Sequence, residues 1–368
     1  MIEYLGCEIV YENPKPHVRS RHGYFPGMVK LPSGELVTLF VLGEAFEAAN
    51  STTYVTRSQD SGKTWHLQSQ LYDRLRLGPN TSDQFKPAVL ADGSLVAIGY
   101  RFHRNDPEQP IAIESTGGFQ PGDNVASFSN DEGRTWTPPE LIPRTYPEVI
   151  EVSGPAVRTT SGDLLAIGAL FHLPDGTNPS GPLGVLLRSK DHGRTWSDNE
   201  LFCNYGGLTP FEARLCEMQP GRMVVIFWAY DSIHHAHLPN HITVSHDNGA
   251  TWSTPVSTGH MGQSSNLLWL GGEKLLSCHA HRGADPGLYV RIVDFSNDEW
   301  KPVEEKLVWG SNIGQQTHDG QAVDRMFASM RFGQPSWVRL SEDEFLLVHW
   351  SIEDGQGRIR AHRLRVRV

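Results

Sequence analysis

The sequence predicts an all-β chain: one six-bladed β-propeller domain of four-stranded antiparallel blades, spanning residues 1–368. Three observations predict it: a hairpin pattern that occurs six times, a turn phrase that occurs four times, and chain ends that complement each other. The hairpin pattern reads FPGMVKLPSGELVTLF (25–40), KPAVLADGSLVAIGY (86–100) and GPAVRTTSGDLLAIGAL (154–170). It continues as EARLCEMQPGRMVVIFW (212–228), SNLLWLGGEKLLSCHA (265–280) and PSWVRLSEDEFLLVHW (335–350). Each copy is an apolar strand, a tight polar turn and a second apolar strand, the pattern of a β-hairpin. Successive turns, at Gly34, Gly93, Gly162, Gly221, Gly272 and Asp343, lie 51 to 71 residues apart, which leaves room for two more strands per unit.

The turn phrase occupies that room. It is Ser-x-Asp-x-Gly-x-Thr-Trp, in SQDSGKTW (58–65), SNDEGRTW (129–136), SKDHGRTW (189–196) and SHDNGATW (245–252). The Asp side chain can accept backbone N–H groups across a turn, Gly supplies positive φ, and Thr and Trp return the chain to the core. A damaged copy, FSNDEW (295–300), follows in the fifth unit. The sixth unit stops after RIRAHRLRVRV, one strand short, and the N-terminus offers an unpaired strand, EYLGCEIVY (3–11). Placing that strand in the last blade closes the ring and removes two exposed edges. No sustained 3.6-residue apolar period argues for helices.

Composition excludes several function classes. The net charge of −10 is spread without long runs, against the basic face of a nucleic-acid binder. Four cysteines, Cys7, Cys203, Cys216 and Cys278, show no CxxC spacing and predict free thiols. No apolar run reaches membrane-spanning length and the N-terminus carries no leader pattern, so the expected location is the cytoplasm, away from membranes.

The four Ser-x-Asp phrases in a six-unit array resemble the Asp boxes of the sialidase (neuraminidase) superfamily, also known as BNR repeats. GYFPGMVKLPSGELV (23–37) occupies the place of that family's Phe-Arg-Ile-Pro segment. The resemblance implies a six-bladed propeller and a pocket on the face away from the Asp boxes. It also implies a carboxylate clamp of three arginines, a Tyr nucleophile paired with Glu, and an Asp acid/base. Glu212 resembles the Glu partner, and Arg282 matches the third arginine. Elsewhere the pattern departs: Tyr24 stands where the first arginine is expected, with Arg19 and Arg21 upstream. Trp228 and Ala229 stand near the second arginine position, Glu44 and Glu47 in the Asp loop, and Gln334 at the tyrosine position.

Topology assigns the loops to faces. Turns inside the hairpins and in the Asp boxes point one way; loops joining second to third strands, and connections between blades, point the other. Eleven of the 17 histidines fall on that second face, among them His22, His103, His172 and His281. Imidazoles there would suit acid–base chemistry or sugar binding. Glycoside hydrolysis needs two carboxyl groups, one of them kept protonated; Glu47, Glu44, Glu151, Glu212 and Asp83 are the candidates.

The expected function is a carbohydrate-active enzyme: a sialidase-like exo-glycoside hydrolase on an acidic or deoxy sugar, with no cofactor or metal. Glu212, Glu47, His22, His103 and His281 are its expected catalytic residues. Arg19, Arg21, Tyr24, Arg101, Glu151, His172, Arg282, His318, Arg331 and Gln334 are expected to bind substrate. Two alternatives stay open. One is a lyase on a uronate glycan, using the clusters RSRHGY (19–24), RFHR (101–104) and HAHR (279–282). The other is a non-catalytic propeller that binds glycan or protein. The polar segment 315–335, with His318, Asp319, Arg325 and Arg331, is expected to overhang the pocket.

Overall fold

The computed structural model describes residues 1–310, 327 and 329–368. Six antiparallel sheets, each built on four strands, form the blades of a propeller, and in blade 4 the short strand Ala236–His237 pairs with the second strand as a fifth. Blade 1 runs from the axis outward as His22–Lys30, Leu36–Gly43, Thr52–Ser58 and His66–Gln70. Blade 2 is Thr81–Val89, Leu95–His103, Gly122–Ser129 and Glu140–Leu141. Blade 3 is Val157–Arg158, Leu164–Ala169, Gly184–Ser189 and Ser197–Cys203. Blade 4 is Leu208–Gln219, Arg222–Asp231, His241–Ser245 and Val256–Ser257. Blade 5 is Ser265–Gly271, Lys274–His281, Gly287–Asp294 and Lys301–Trp309.

Blade 6 is Phe332–Arg339, Glu344–Glu353 and Gln356–Val366, and the N-terminal strand Ile2–Tyr11 completes it as the outermost strand. The ring is therefore closed by the two chain ends, in the register Ile2 opposite Val366 to Tyr11 opposite Ile359.

The second strand of each blade reads as a nearly continuous apolar run because both of its faces are covered. In blade 1, Leu36 and Phe40 pack toward blade 6, while Val37 and Leu39 pack toward blade 2. Six such apolar layers lie between neighbouring blades, so the core is distributed around the ring.

The Ser-x-Asp turns are scaffold. Asp60 accepts from the Lys63 and Thr64 amides at 3.0 and 2.9 Å and from the Thr64 hydroxyl at 2.6 Å. Those donors hold its carboxyl well below the usual range. Asp131, Asp191 and Asp247 repeat the contact to the threonine two residues past their Gly. The residue before each Gly is left-handed: Ser61, Glu132, His192 and Asn248 have φ of 59–61°. Each turn also tucks against the preceding blade; a Cβ on Gly62 would lie 2.5 Å from Leu346 of blade 6. Arginines reinforce the seam, with Arg57 donating to the Glu132 carbonyl and Arg188 to the Asn248 carbonyl.

Blade 6 buries a pair of imidazoles. His349 Nδ1 donates to the Trp350 carbonyl at 3.0 Å, so its Nε2 must accept from His362 Nε2, 3.0 Å away. The Tyr4 hydroxyl then donates to His362 Nδ1 at 3.3 Å, and both rings are neutral. Burial pushes His349 down to about 3 and His362 well below its ordinary value. Unfolded imidazoles protonate near pH 6.5 while these resist, so acid favours the unfolded chain. Stability is expected to fall as pH drops below about 6.5, by up to about 1.4 kcal/mol per pH unit for each ring. Urea unfolding between pH 7 and 5 measures this slope. A His349→Phe/His362→Phe variant with the same slope as wild type would rule the pair out as its source.

Candidate active site

The innermost strands are irregular where they approach the axis. The ladder slips between Tyr24 and Gly27 in blade 1, between Phe211 and Arg214 in blade 4, and between Gly333 and Ser336 in blade 6. Each bulge holds one non-glycine residue at positive φ: Phe25 at 53°, Glu212 at 47° and Gln334 at 43°. Such backbone costs about 1–3 kcal/mol per residue and persists only where its surroundings over-determine it. Blade 3 breaks too. The amides of Val152 and Ser153 donate to carbonyls only two residues back, at 2.8 Å each, and the chain turns sharply at Glu151.

These four breaks converge on a buried polar cluster. Lys86, from blade 2, donates to the Phe25 carbonyl, to the Pro26 carbonyl at 3.2 Å and to Gln334 Oε1 at 3.0 Å. Gln334 Nε2 in turn donates to Glu212 Oε1 at 2.7 Å, and its backbone amide to Ser264 Oγ at 2.9 Å. The Glu212 amide donates to Glu151 Oε2 at 3.2 Å. Arg214 donates to Ser153 Oγ and to the carbonyls of Glu212 and Ala213. Arg282 donates to the Phe332 carbonyl and, at 3.0 Å, to Gln263 Oε1.

The cluster is electrostatically uneven. Burial, and then the charge of Glu212, push the Glu151 carboxyl well above the usual carboxylate range, against the pull of Arg214. Burial lowers Lys86, with Arg214 adding to the effect and Glu212 opposing it. Its three acceptors nevertheless require three N–H donors, which only the ammonium has. Burial brings Arg282 down to about 10, and Glu212 opposes that fall. Tyr100 is raised by burial and by the charges of Glu151 and Glu212.

A cavity of about 850 Å³ opens on the loop face between blades 6, 1 and 2, and Glu151 and Glu212 do not line it. Its walls are His22, Tyr24, the loops 44–50 and 104–110, and Phe327, Met330 and Arg331. Tyr24 connects it to the cluster, since the carbonyl of the next residue receives Lys86. Phe46 stacks a wall from aromatic rings, 5.1 Å from Phe25, 5.3 Å from Tyr24 and 5.7 Å from Phe327.

Of the residues expected from sequence, Glu212, Glu151, Gln334 and Arg282 meet at the axis, and Tyr24 borders them. The others are placed elsewhere. Glu47 lines the cavity, but its Oε1 accepts the Ile111 and Ala112 amides at 2.9 and 3.1 Å, tying one loop to the next. His22 Nδ1 accepts the Gly357 amide at 2.8 Å and joins blade 1 to blade 6, with burial lowering its pKa. His103 and Arg101 share Asp123 Oδ2, at 3.2 and 3.0 Å. The ring nitrogens of His281 face the carbonyls of Met261 and Ala284. His172 is half-buried, and burial lowers it. Arg19 is exposed, and Arg21 lies over the Tyr54 ring, 5.9 Å from its centre. Arg331 lines the cavity and donates to the Met330 carbonyl. His318, with Asp319 and Arg325, lies outside the described residues.

His279 packs against Arg291, whose Nη1 lies 2.7 and 3.0 Å from its ring nitrogens, while those of His281 face carbonyl groups. Among the described residues no group of three or more His, Cys, Asp or Glu is arranged to hold a metal ion.

Sequence reading missed Lys86, Phe25, Tyr100 and Arg214. One signal was present: Phe25, Lys86 and Gln334 each immediately precede a proline, at 26, 87 and 335. Proline lacks the ladder donor, so it marks an edge strand, and here the free edge faces the axis.

No protein-family model matches the sequence, and no curated protein matches it. Solved structures do match. A protein of unknown function from Dyadobacter fermentans superposes with a TM-score of 0.76 at 20% identity, covering 100% of this chain and 99% of that one. The NanB sialidase of Streptococcus pneumoniae gives 0.67 at 12% identity, over 98% of this chain and 70% of that one. An α-L-arabinanase of Penicillium chrysogenum, complexed with arabinobiose, gives 0.65 at 16% identity, over 99% and 98%.

Proposed function

On the premise that this chain is a sialidase-like six-bladed β-propeller, we propose that it is a glycoside hydrolase that removes a terminal acidic or deoxy sugar from a glycan. The observation that carries this reading is the approach of Glu151 to Glu212: Glu151 Oε2 accepts the Glu212 backbone N–H at 3.2 Å, and the Glu212 charge bears on the Glu151 carboxyl. Burial and its neighbour's charge hold the proton on Glu151, while Glu212 accepts an amide N–H that suits a carboxylate. A glycosidase needs that pairing, one carboxylic acid and one carboxylate. Glu151 is the acid: its proton passes to the glycosidic oxygen as the bond to the anomeric carbon breaks. Glu212 carries the charge that meets the developing oxocarbenium ion; a water then adds to the anomeric carbon, and its proton returns to Glu151. Gln334 fills the tyrosine position with an amide that is not nucleophilic, so the reaction does not run through that residue. The cavity beside Tyr24, walled by Phe46 and Phe327, has the mixed apolar and polar lining that suits a sugar ring next to the carboxyl pair. Glu151 and Glu212 do not line it, so this reading puts the bond that breaks on the axial side of Tyr24.

The test is a panel of glycans and aryl glycosides of deoxy, neutral and acidic sugars. The expected product is a free sugar with a new reducing end. An unsaturated uronate product absorbing in the ultraviolet would replace the hydrolase reading with a lyase. Glycan binding without cleavage across the panel would leave a binding propeller.

A further inference from the structure

We propose that Lys86 is a positioning residue that acts through the Gln334 amide to keep the negative charge of the carboxyl pair on Glu212 and the proton on Glu151. This rests on the reading of those two groups as the working pair. The geometry is a single file: ammonium, amide, carboxylate. Lys86 Nζ and Glu212 are each hydrogen-bonded to one end of the same amide, at 3.0 and 2.7 Å.

An amide has two faces and can be turned over. With its oxygen toward Lys86, its N–H must point at Glu212, and a carboxylate there is satisfied. With the amide flipped, its oxygen would face Glu212, and that contact is favourable only if Glu212 carries a proton to donate. The observed orientation therefore favours the charge on Glu212, because an N–H donor stabilises a carboxylate more than a neutral carboxyl group.

The backbone of Gln334 is held: its main-chain N–H donates to Ser264 Oγ, its φ is 43° and Pro335 follows. Lys86 fixes which way the side-chain amide faces. The protein also makes room for the lysine: a Cβ on Gly27 would lie 2.8 Å from Lys86 Cδ. The other charged or titratable groups described around the pair are Tyr100 of blade 2, Arg214 of blade 4 and Arg282 of blade 5. Of these cations, Lys86 is the one hydrogen-bonded to the side chain that bonds Glu212.

The test uses carboxyl-carbon NMR titration of the whole protein labelled at Glu, with no substrate present. In wild type, Glu151 keeps its proton beyond the ordinary carboxylate range. In Lys86→Met the neighbouring charge is no longer held on Glu212, and the Glu151 midpoint is expected to drop by about one pH unit or more. Gln334→Leu cuts the same file while leaving the lysine in place, and it should give the same drop. Gly27→Ala, which removes no charge but displaces the ammonium, should move the midpoint in the same direction. Ethylammonium added to Lys86→Ala should restore it, which a purely structural lysine would not allow. An unchanged Glu151 midpoint in folded Lys86→Met overturns the proposal, and Gln334→Leu decides the matter where Lys86→Met does not fold. If the midpoints move but no glycan is cleaved, the relay stands and the hydrolase assignment falls.

Discussion

Glu151→Gln is expected to lower kcat on an unactivated glycoside by about 10²- to 10⁴-fold, the usual contribution of a general acid. A glutamine fills the same space and can still accept the Glu212 amide through its oxygen, so the chain break at residues 150–153 should survive. It has no proton to give the departing oxygen. The leaving group makes the test specific. A dinitrophenolate leaves without protonation, so Glu151→Gln should lose little activity on a dinitrophenyl glycoside while losing nearly all of it on an alkyl glycoside. Glu212→Gln should be slow on both, because the charge it removes is needed whatever leaves. Equal losses on the two substrates in Glu151→Gln would remove Glu151 from the role of acid.

The pH profile of wild type carries the same information. Burial and the Glu212 charge raise Glu151, so its protonated form persists to pH values where an ordinary carboxyl, near 4, is ionised. The rate should fall on the basic side as Glu151 loses its proton, and that limb should vanish in Glu151→Gln. Such a pair can be poised at neutral pH because the cluster is buried, which weakens solvent screening, and because its cations are tied to carbonyl oxygens.

Much of the fold was legible in the sequence, because a propeller repeats its own grammar. Six hairpins and four Ser-x-Asp turns specified the blades, and an unmatched strand at each end specified the closure between Ile2–Tyr11 and Gln356–Val366. The repeats also set the register. The family resemblance, laid on that register, singled out Glu212 and Gln334, and their two side chains do meet, although they are 122 residues apart. Legibility ended where function depends on convergence between blades. Lys86 looks like an ordinary lysine at the start of a strand; nothing local reports that its ammonium crosses to blades 1 and 6. His22, His103 and His281, expected at the site, are not brought to the axial cluster, although His22 lines the cavity. Loop-face segments are polar and rich in imidazoles, but these three satisfy backbone groups or carboxylates near them in space. Glu47 is on the expected loop, and there it holds the two backbone amides that fix the neighbouring loop.

Asp83 shows how a carboxyl on the expected face can be wholly structural, and Asp83→Ala is expected to destabilise the protein by about 3–5 kcal/mol. Its side chain is buried between blades 1 and 2 and accepts four hydrogen bonds. Oδ1 takes the Thr53 amide and hydroxyl at 2.8 Å each, and Oδ2 takes the Thr52 and Tyr72 hydroxyls, also at 2.8 Å. Burial raises this carboxyl above its ordinary value, against the pull of the four donors. With both oxygens taken up by donors of the scaffold, neither is turned toward a substrate. Alanine would strand all four donors out of reach of water, between the third strand of one blade and the first strand of the next. Asp83→Asn offers an informative contrast. The new amide oxygen can keep both Thr53 donors, and the Thr52 and Tyr72 hydroxyls can turn to accept from the new NH₂ group. Urea unfolding should therefore show a loss for Asp83→Asn of less than half that of Asp83→Ala. Turnover per folded molecule should be nearly unchanged in both variants. A folded Asp83→Asn protein without activity would return this residue to the catalytic set and overturn its assignment to the seam between the blades.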